Sequence, residues 1–529
     1  ISIAEDGPAA PVYRISPDEP WRIVRTKWRV AGAVGGPVEG GGTPSGYFTG
    51  ATGATLFTGD AWGAEFVDNA FIADCGSNLI HRKELFPKGH VLTARRPREE
   101  AKIEFVRSTD NWFRPVQFSN GPDGNLYVLD MYREVIEHPW SLPRGVKQFL
   151  DLNSGNDRGR IYRIRASGAD MTQRAMPGNA NESALIEMLG HSNHWHRSTA
   201  TRLIFERNSA HLEDELRNVL IESKNPFARM HALQVLSGMG AMKGRDVEKA
   251  FTDRSSMVQL AMIHHLGTSP HTRLSGANYQ RHMSALIADD STRFHATLLL
   301  AKHPLDSATQ ASLLWQALAF EKEDKTWVQF AVLNAMGDCI LEFLNLLIKK
   351  GSNGMELFYD SSEFYQMIGA SGENYGVIQS FDFLIKPPLQ EGTLDSLMAL
   401  AQGLERSGAY LLSVVPSPQI NRARSVLLNW LKENDQSEPS KVKKVIAVIG
   451  QIMTQETKMQ WKDWLHQDGW ALHHPDLIAS LIPSLKPTEL GWLWKQWASW
   501  SPLTRQTSLG KLLTRQDWII AYLLAAKKD

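Results

Sequence analysis

Acidic, basic and cationic side chains follow an apolar stretch near residue 130. Leu126–Leu129 leads into Asp130, and Tyr132, Arg133 and His138 come soon after. A carboxylate or an imidazole can act as a general base, and a guanidinium can hold an anionic group. We therefore predict that Asp130, Arg133 and His138 are catalytic. In the structural alternative, Asp130 caps a turn through backbone N–H bonds and Arg133 bridges neighbouring elements.

A second stretch of the same kind occurs earlier in the chain. Asn69–Asp74 resembles Asn125–Asp130 in its pattern of residues, and polar side chains follow both stretches. Two such ends on one face would form one site, so we predict that both contribute to a cofactor site. Its predicted binding residues are Arg114, Arg82, Asn78 and Tyr132. Carboxylate and carbonyl oxygens suit Ca²⁺, and Asp74 and Asp130 are therefore candidate metal ligands as well.

The segment that carries these residues has the signals of β-structure. Gly121–Asn125 is a tight-turn sequence, because Pro fixes φ and Gly supplies positive φ. A turn, an apolar strand and a polar strand end are typical of a β-propeller blade, and their repetition favours that fold. We predict propeller blades over residues 1–168, with further strands at Trp21–Val30, Glu65–Asp74 and Val91–Arg95.

The propeller predicted in this way is incomplete. Blades of about 50 residues give roughly three blades in this segment, whereas propellers close with four to eight. An open arc of blades leaves unpaired strand edges. We therefore expect the remaining blades to come from other parts of a longer polypeptide or from a partner chain.

From residue 181 onward the apolar pattern has a helical period. A motif recurs at intervals of about 30–36 residues, which is the range of helical repeats. The polar residues that align in it are Arg197, Arg229, Gln259, Arg293 and Gln329. We predict a HEAT-like α-solenoid over residues 181–340 and further helical repeats over residues 341–529. In the tryptophan-rich segment Trp461–Trp500, packing between repeats is favoured over a membrane- or partner-facing patch.

Two further motifs allow both a functional and a structural interpretation. His191, His194 and His196 form an HxxHxH pattern that could bind zinc, but no carboxylate or cysteine is near, and a structural role is favoured. The glycine-rich stretch Gly35–Gly53 is either a binding loop or a turn between strands. It lacks the GK[ST] sequence of a phosphate loop.

The composition excludes several classes of function. The 57 basic and 57 acidic residues cancel, so nucleic acid is not an expected partner. Cys75 and Cys339 form no CxxC or CxxCH spacing, so a c-type haem is expected only outside this chain. No apolar run approaches the length of about 20 residues that spans a bilayer. We therefore predict no transmembrane segment, and no signal peptide is recognisable at the start.

The strand-rich segment resembles the membrane-bound dehydrogenase domain of planctomycetes and their relatives, a divergent cousin of the glucose/sorbosone dehydrogenase propellers. The stretches that carry the resemblance are Glu39–Gly50, Asp74–Arg82, Trp112–Val116, Gly121–Gly124, Asp130–Pro139 and Leu152–Ile164. They lie within the first third of the chain, and the helical region is similar to that family more loosely.

The resemblance implies an extracytoplasmic, periplasmic oxidoreductase. Such a protein would oxidise a sugar-like alcohol and pass electrons to a quinone or to a c-type cytochrome. Pyrroloquinoline quinone and Ca²⁺ are the cofactors expected from this family. Early blades and the haem motif are missing from the pattern, so this chain would be one part or subunit of the enzyme. The alternatives are a non-catalytic scaffold that docks partners in a larger assembly, or a carbohydrate-binding propeller without redox chemistry.

Overall fold

The computed structural model describes residues 11–168, 177–207, 209–268, 276–322, 325–387, 389, 391–433, 439–453, 497, 500–513, 519–520 and 523–524. Strands dominate up to residue 164 and helices dominate after residue 181, so the chain is of the mixed β plus α class. It divides into two compact units. The first contains Ile1–Leu299 and Phe320–Val328, and the second contains Leu300–Ala319 and Gln329–Asp529. The tryptophan-rich Trp461–Trp500 lies almost entirely outside the described residues.

Two antiparallel sheets form the N-terminal part of the first unit. The first sheet has the order β1-β2-β3-β4, with β5 paired to β3, and the second has the order β6-β7-β8. The strands are β1 (Ala51–Leu56), β2 (Ala70–Asp74), β3 (Leu79–Lys88), β4 (Val91–Arg95), β5 (Val106–Arg107), β6 (Pro115–Asn120), β7 (Leu126–Asp130) and β8 (Arg160–Ile164).

One apolar cluster joins these two sheets. Phe71 and Ile80 from the first sheet, with Phe57 directly after β1, pack with Phe118 and Leu126 from the second. Trp62 adds a ring stacked on Phe57, with ring centroids 4.1 Å apart. The two sheets therefore share one apolar core. Burial of each of these large side chains stabilises the fold by about 1.5–3 kcal/mol.

The tight turn between β6 and β7 is formed as its sequence predicts. Gly124 has a φ of +77°, and a Cβ at this position would lie 2.3 Å from a carboxylate oxygen of Asp60. Both the backbone conformation and the close approach therefore require glycine. The strands β4 and β7 also lie where they were predicted.

The prediction of a strand at Trp21–Val30 was wrong. The segment forms helix α1 (Pro20–Val30), with proline in its first turn. Its buried residues include Arg22, Arg25 and Arg29, a spacing of three and four that places them on one helical face. The predicted strand Glu65–Asp74 is shorter in the structure, because a 3₁₀ turn at Ala64–Phe66 precedes β2.

Most helices of the first unit follow the sheets in the chain. The short α2 (Arg144–Lys147) is an exception, because it lies between β7 and β8. After β8 come α3 (Glu182–Met188), α4 (His194–Glu206), α5 (Glu213–Glu222), α6 (Pro226–Gly238), α7 (Gly244–Phe251), α8 (Ser256–Thr268), α9 (Ala277–Ala288) and α10 (Arg293–Leu299).

The second unit is helical throughout its described part. Two of its helices extend across the boundary between the units: α11 (Ser307–Phe320) and α12 (Lys325–Met336). The others are α13 (Ile340–Lys349), α14 (Ser352–Met355), α15 (Ser362–Ser371), α16 (Asn374–Leu384), α17 (Glu391–Arg406), α18 (Leu411–Val414), α19 (Ser417–Glu433), α20 (Pro439–Gln451) and α21 (Pro502–Leu512).

The three arginines of the recurring helical motif have a shared role. Arg197 donates to the carbonyl of Ser192 at 2.7 Å, and Arg229 donates to that of Ser223 at 2.8 Å. Arg293 likewise donates to the carbonyl of Ile287, six positions before it, at 3.0 Å. Each side chain thus satisfies a carbonyl five or six positions before it, at the end of the preceding helix or in the loop that follows that helix, which explains why the position is polar.

Among the described residues, one helical segment is long and apolar enough to cross a bilayer by length and composition. This segment is Lys325–Lys349, and half of its most apolar window is buried within the protein. Core helices of globular proteins commonly have this combination.

Candidate functional site at the strand ends

Asp74, the last residue of β2, is fully buried and holds the start of the neighbouring strand. One carboxylate oxygen accepts backbone N–H bonds from Gly50 at 2.9 Å and from Gly76 at 3.0 Å. The other accepts the Thr49 N–H at 3.0 Å. These bonds occupy both oxygens, so the carboxylate acts here as a cap for backbone donors.

Asp130 ends β7 in the corresponding way. Its Oδ1 accepts the N–H of Arg114 at 2.7 Å and the N–H of Tyr132 at 2.8 Å. As at Asp74, one donor lies two positions later and the other directly precedes the partner strand. Asp130 differs in that its buried Oδ2 has no hydrogen-bond partner among the described residues. Burial raises the pKa of the Asp130 carboxyl above its ordinary value.

Arg114 is completely buried and connects four segments. It donates to a carboxylate oxygen of Glu19 at 3.0 Å and to the carbonyl of Cys75 at 3.0 Å. It also donates to the carbonyls of Arg133 and Glu134, at 3.0 and 2.7 Å. Burial lowers the pKa of this guanidinium. All three nitrogens are therefore engaged inside the protein.

Arg82 and Asn78 are also buried within the first sheet region. Arg82 donates to Glu100 at 2.8 Å and to Glu99 at 2.5 Å. The amide of Asn78 donates to the carbonyl of Phe113 at 2.7 Å. Both side chains bind other parts of the protein and are closed to solvent.

Tyr132 belongs to a cluster at the protein surface. Its hydroxyl donates to Asp110 at 2.8 Å, a bond that raises the pKa of the phenol. The guanidinium of Arg160 lies 3.5 Å from its ring centroid, and the Trp112 ring lies 5.6 Å away. Arg158 stacks on Trp112 at 5.9 Å. We call these five residues the strand-end surface.

Tyr132 also has an unusual backbone conformation. Its φ of +48° lies in the left-handed region, which costs a bulky residue roughly 1–2 kcal/mol. The conformation directs its N–H to Asp130. Non-glycine residues held in this region are enriched at functional sites, which makes the strand-end surface the best-supported candidate for ligand contact among the predicted residues.

Arg133 and His138, the other two predicted catalytic residues, lie apart from the Asp130 carboxyl. Arg133 donates to the carbonyl of Leu152 at 2.9 Å. His138 is exposed, and its ring nitrogen accepts the N–H of Trp140 at 3.2 Å as the cap of a short 3₁₀ turn. Both contacts position the backbone of the segment between β7 and β8. No contact joins either side chain to Asp130 among the described residues.

The predicted cofactor- and metal-binding residues are poorly placed to bind a quinone or Ca²⁺. Arg114, Arg82 and Asn78 are buried and bonded within the protein, which leaves only Tyr132 accessible to a quinone. Both oxygens of Asp74 already accept backbone N–H bonds, whereas Ca²⁺ takes six to eight oxygen ligands. In the described part of the chain, no group of three or more His, Cys, Asp or Glu side chains could hold a metal ion.

The HxxHxH motif joins the first long helix to the sheets. Asn193, the cap of α4, donates to the carbonyl of Gly121 at 3.0 Å, and His196 contacts the carbonyl of Pro122 at 2.8 Å. The N–H of His194 donates to the carbonyl of Thr58 at 3.1 Å. These contacts are consistent with the structural interpretation of the motif.

Sequence reasoning missed an exposed aromatic segment between β7 and β8. The side chains of Trp140 and Phe149 are 93% and 81% exposed, and Arg144 and Lys147 are exposed between them. A shallow cavity of about 670 Å³ lies beside Trp140, Arg144 and Lys147. We call residues 140–149 the docking segment. Its signal in the sequence is two aromatic residues flanking two cations, with no acidic residue between them.

Buried contacts anchor the backbone of the docking segment. Its residues Leu142 and Val146 are buried against Trp21 and Val135 in a separate apolar cluster. Arg29 of α1 donates to the carbonyl of Ser141 at 3.0 Å. The exposed aromatic side chains therefore stand on an anchored backbone.

The comparisons with known proteins give one match and no activity. A family described as a domain of unknown function (DUF7133) matches residues 3–168, the strand-rich part of the chain. Among curated proteins, none matches the sequence.

Proposed function

We propose that this chain is the docking part of an extracytoplasmic, propeller-type dehydrogenase that oxidises a sugar-like alcohol. In this proposal the two sheets are blades of a β-propeller and the helices are a HEAT-like α-solenoid. The redox centre, a quinone or a c-type haem, is carried by another part of the assembly. The resemblance of the strand-rich segment to the dehydrogenase propellers supports this assignment.

Local geometry supports the repeat architecture. Asp74 and Asp130 end corresponding strands, and each accepts bonds from backbone N–H groups at equivalent positions, as expected if β1-β2 and β6-β7 are equivalent parts of two blades. Arg197, Arg229 and Arg293 each donate to a carbonyl five or six positions earlier, as expected for equivalent parts of helical repeats.

The single observation that carries the docking role is the exposure of Trp140. This tryptophan is 93% exposed and stands on an anchored backbone beside Arg144 and Lys147. Tryptophan and arginine are the residues enriched in interface hot spots. The two cations favour an acidic partner surface. A c-type cytochrome with an acidic face is the electron acceptor that fits this chemistry and the implied reaction.

Binding of an acidic c-type cytochrome to the immobilised chain tests the docking role. We expect measurable binding by surface plasmon resonance that weakens as salt is added. Trp140→Ala should weaken it about thirtyfold or more, because hot-spot truncation costs at least about 2 kcal/mol. Tyr375→Ala, which removes another exposed ring, should leave it unchanged. Equal binding by the wild type and the Trp140 variant would contradict the proposal.

A dye-reduction assay tests the location of the redox centre. With a panel of sugar alcohols and added quinone, we expect the chain alone to leave the dye oxidised, and the natural assembly to reduce it. Reduction by the isolated chain would place the redox chemistry within these residues instead.

Asp130 favours a second candidate function, a carbohydrate-binding site at the strand-end surface. A buried carboxyl lies beside Tyr132, and one of its oxygens has no bond to any described residue. Trp112 and Asp110 lie close to that tyrosine. Aromatic rings with a few polar groups are the usual lining of small-molecule sites. In a glycan-binding assay, Trp112→Ala should abolish binding, while Trp140→Ala should leave it intact.

A further inference from the structure

A groove lies on the helical part of the first unit, away from the docking segment and the strand-end surface. It has a volume of about 440 Å³ and lies along α4 and α6, and most of its lining is apolar. Phe205, Met230 and Val235 supply apolar surface, and His194 and His231 are the imidazoles that line it. A volume of this size is in the range of small-molecule sites, about 300–1,000 Å³.

His231 is buried, and its hydrogen bonds determine which ring nitrogen carries the proton. Its Nδ1 lies 3.0 Å from the hydroxyl oxygen of Thr201. That hydroxyl donates its single proton to the carbonyl of Arg197 at 2.9 Å. The Thr201 oxygen can therefore only accept from the imidazole, so Nδ1 carries the proton and Nε2 carries a lone pair.

The Nε2 lone pair of His231 accepts no hydrogen bond from the described residues. This atom is buried and has no hydrogen-bond partner among the described residues. Burial, with the charge of Arg197 and the neighbouring His194, lowers the pKa of His231 to about 4, so the ring is neutral at physiological pH. The His194 ring lies 5.9 Å from it, centroid to centroid. A buried acceptor without a donor is costly, and ligand binding is one way to satisfy it.

We propose that this groove binds a small apolar molecule that carries one hydroxyl or N–H donor, such as a phenolic ring. The apolar lining would take the ring, and the donor would bond Nε2 of His231. This proposal is independent of the docking role, because none of the groove residues belongs to the docking segment.

The neighbouring helix supplies a matched control. His265 of α8 bonds the hydroxyl of Ser237 through Nδ1, and its buried Nε2 also lacks a partner among the described residues. Its surroundings therefore resemble those of His231. It does not line the groove, so its replacement should not affect a ligand there.

Fluorine NMR with two matched probes, 4-fluorophenol and 4-fluorotoluene, tests the proposal on the full chain. We expect 4-fluorophenol to bind about fivefold more tightly, the equivalent of one net hydrogen bond. His231→Phe should remove this preference, and His265→Phe should preserve it. A preference that survives in His231→Phe, or no binding of either probe at millimolar concentration, would overturn the proposal.

A second variant keeps the test decisive if His231→Phe does not fold. A Cβ added at Gly238 would lie 3.4 Å from the Phe205 ring, so Gly238→Leu places a side chain in the groove without disturbing His231. Binding of both probes should be lost in this variant. Unchanged binding would show that the probes bind elsewhere, which would overturn the proposal.

Discussion

Arg114 shows how a residue type can suggest chemistry while its surroundings give it a structural role. The sequence places an arginine beside an apolar strand, where a cofactor clamp is reasonable. Its actual partners are Glu19 and three backbone carbonyls from other segments. The local pattern cannot show these partners, because Glu19 is brought to Arg114 only by the fold. Burial of predicted polar residues was the main property that sequence reasoning could not supply.

Replacement of Arg114 by lysine should be strongly destabilising. Lysine keeps the charge but cannot satisfy four acceptors in different directions, and unpaired buried groups cost about 3–5 kcal/mol. Urea denaturation followed by far-UV circular dichroism would measure the loss. Arg158→Lys, at an exposed site, should change the free energy of unfolding by less than about 0.5 kcal/mol. Similar effects for the two variants would contradict the role of Arg114 as a buried connector.

The two capping aspartates should respond differently to the same substitution. Asp74→Asn replaces one bonded oxygen by an amide group that meets the N–H of Thr49, so we expect a loss of about 2 kcal/mol. Asp130→Asn can retain both bonds at Oδ1, and its other oxygen has no partner to lose among the described residues. We expect a loss below about 1 kcal/mol. Thermal unfolding of the two variants measures the difference, and a larger loss for Asp130→Asn would contradict the greater dependence of Asp74 on both of its oxygens.

At the scale of elements, the predictions succeeded where a local signal was complete. The turn before β7 has proline and glycine at fixed positions, and β7 follows it as expected. They failed at α1, where aromatic and β-branched residues suggested a strand. The burial of Arg22, Arg25 and Arg29 instead follows the helical period. Arginines that point inward are not counted as apolar, so the pattern that defines this helix was hidden from a search for apolar periodicity.

The contact between α4 and α6 should make the helical region sensitive to acid. His231 has its pKa lowered to about 4 in the folded protein, against an ordinary value near 6.5. As the pH falls below 6.5, His231 becomes protonated in the unfolded chain but stays neutral in the folded chain. The stability that His231 provides at neutral pH is therefore lost progressively down to about pH 4.

Comparison of the wild type with His231→Phe isolates this effect. Between pH 7.5 and pH 5.0, the free energy of unfolding of the wild type should fall by about 2 kcal/mol more than that of the variant. Other histidines titrate in both proteins and cancel. Urea denaturation at the two pH values measures the difference. An equal fall in both proteins would mean that His231 is protonated in the folded state.

At the scale of the whole molecule, the sheets and the first helices are joined by a few polar contacts. The sequence indicated a change from β to α and favoured a structural role for HxxHxH. It could not indicate that α4 contacts the turns at Thr58 and Gly121–Pro122, because these turns are far away in the chain. The position of α4 therefore depends on contacts such as that of Asn193 with Gly121.

Asn193 and Asn225 provide a matched pair to test this connection. Each caps its own helix, through the N–H of Trp195 and of Phe227. Asn225 also donates to the carbonyl of Gly190 within the helical region, whereas Asn193 donates to the carbonyls of Gly121 and Pro122 in the turn between β6 and β7. Both alanine variants should lose about 1 kcal/mol from the cap. Asn193→Ala also leaves the carbonyls of Gly121 and Pro122 without this donor, and Asn225→Ala leaves that of Gly190, so each should lose about 1–3 kcal/mol more. In hydrogen exchange, Asn193→Ala should deprotect both the turn at residues 121–125 and the start of α4, while Asn225→Ala should leave that turn protected. If Asn193→Ala left the turn protected, the sheets and the helices would be joined by apolar packing, and the polar contacts would be secondary.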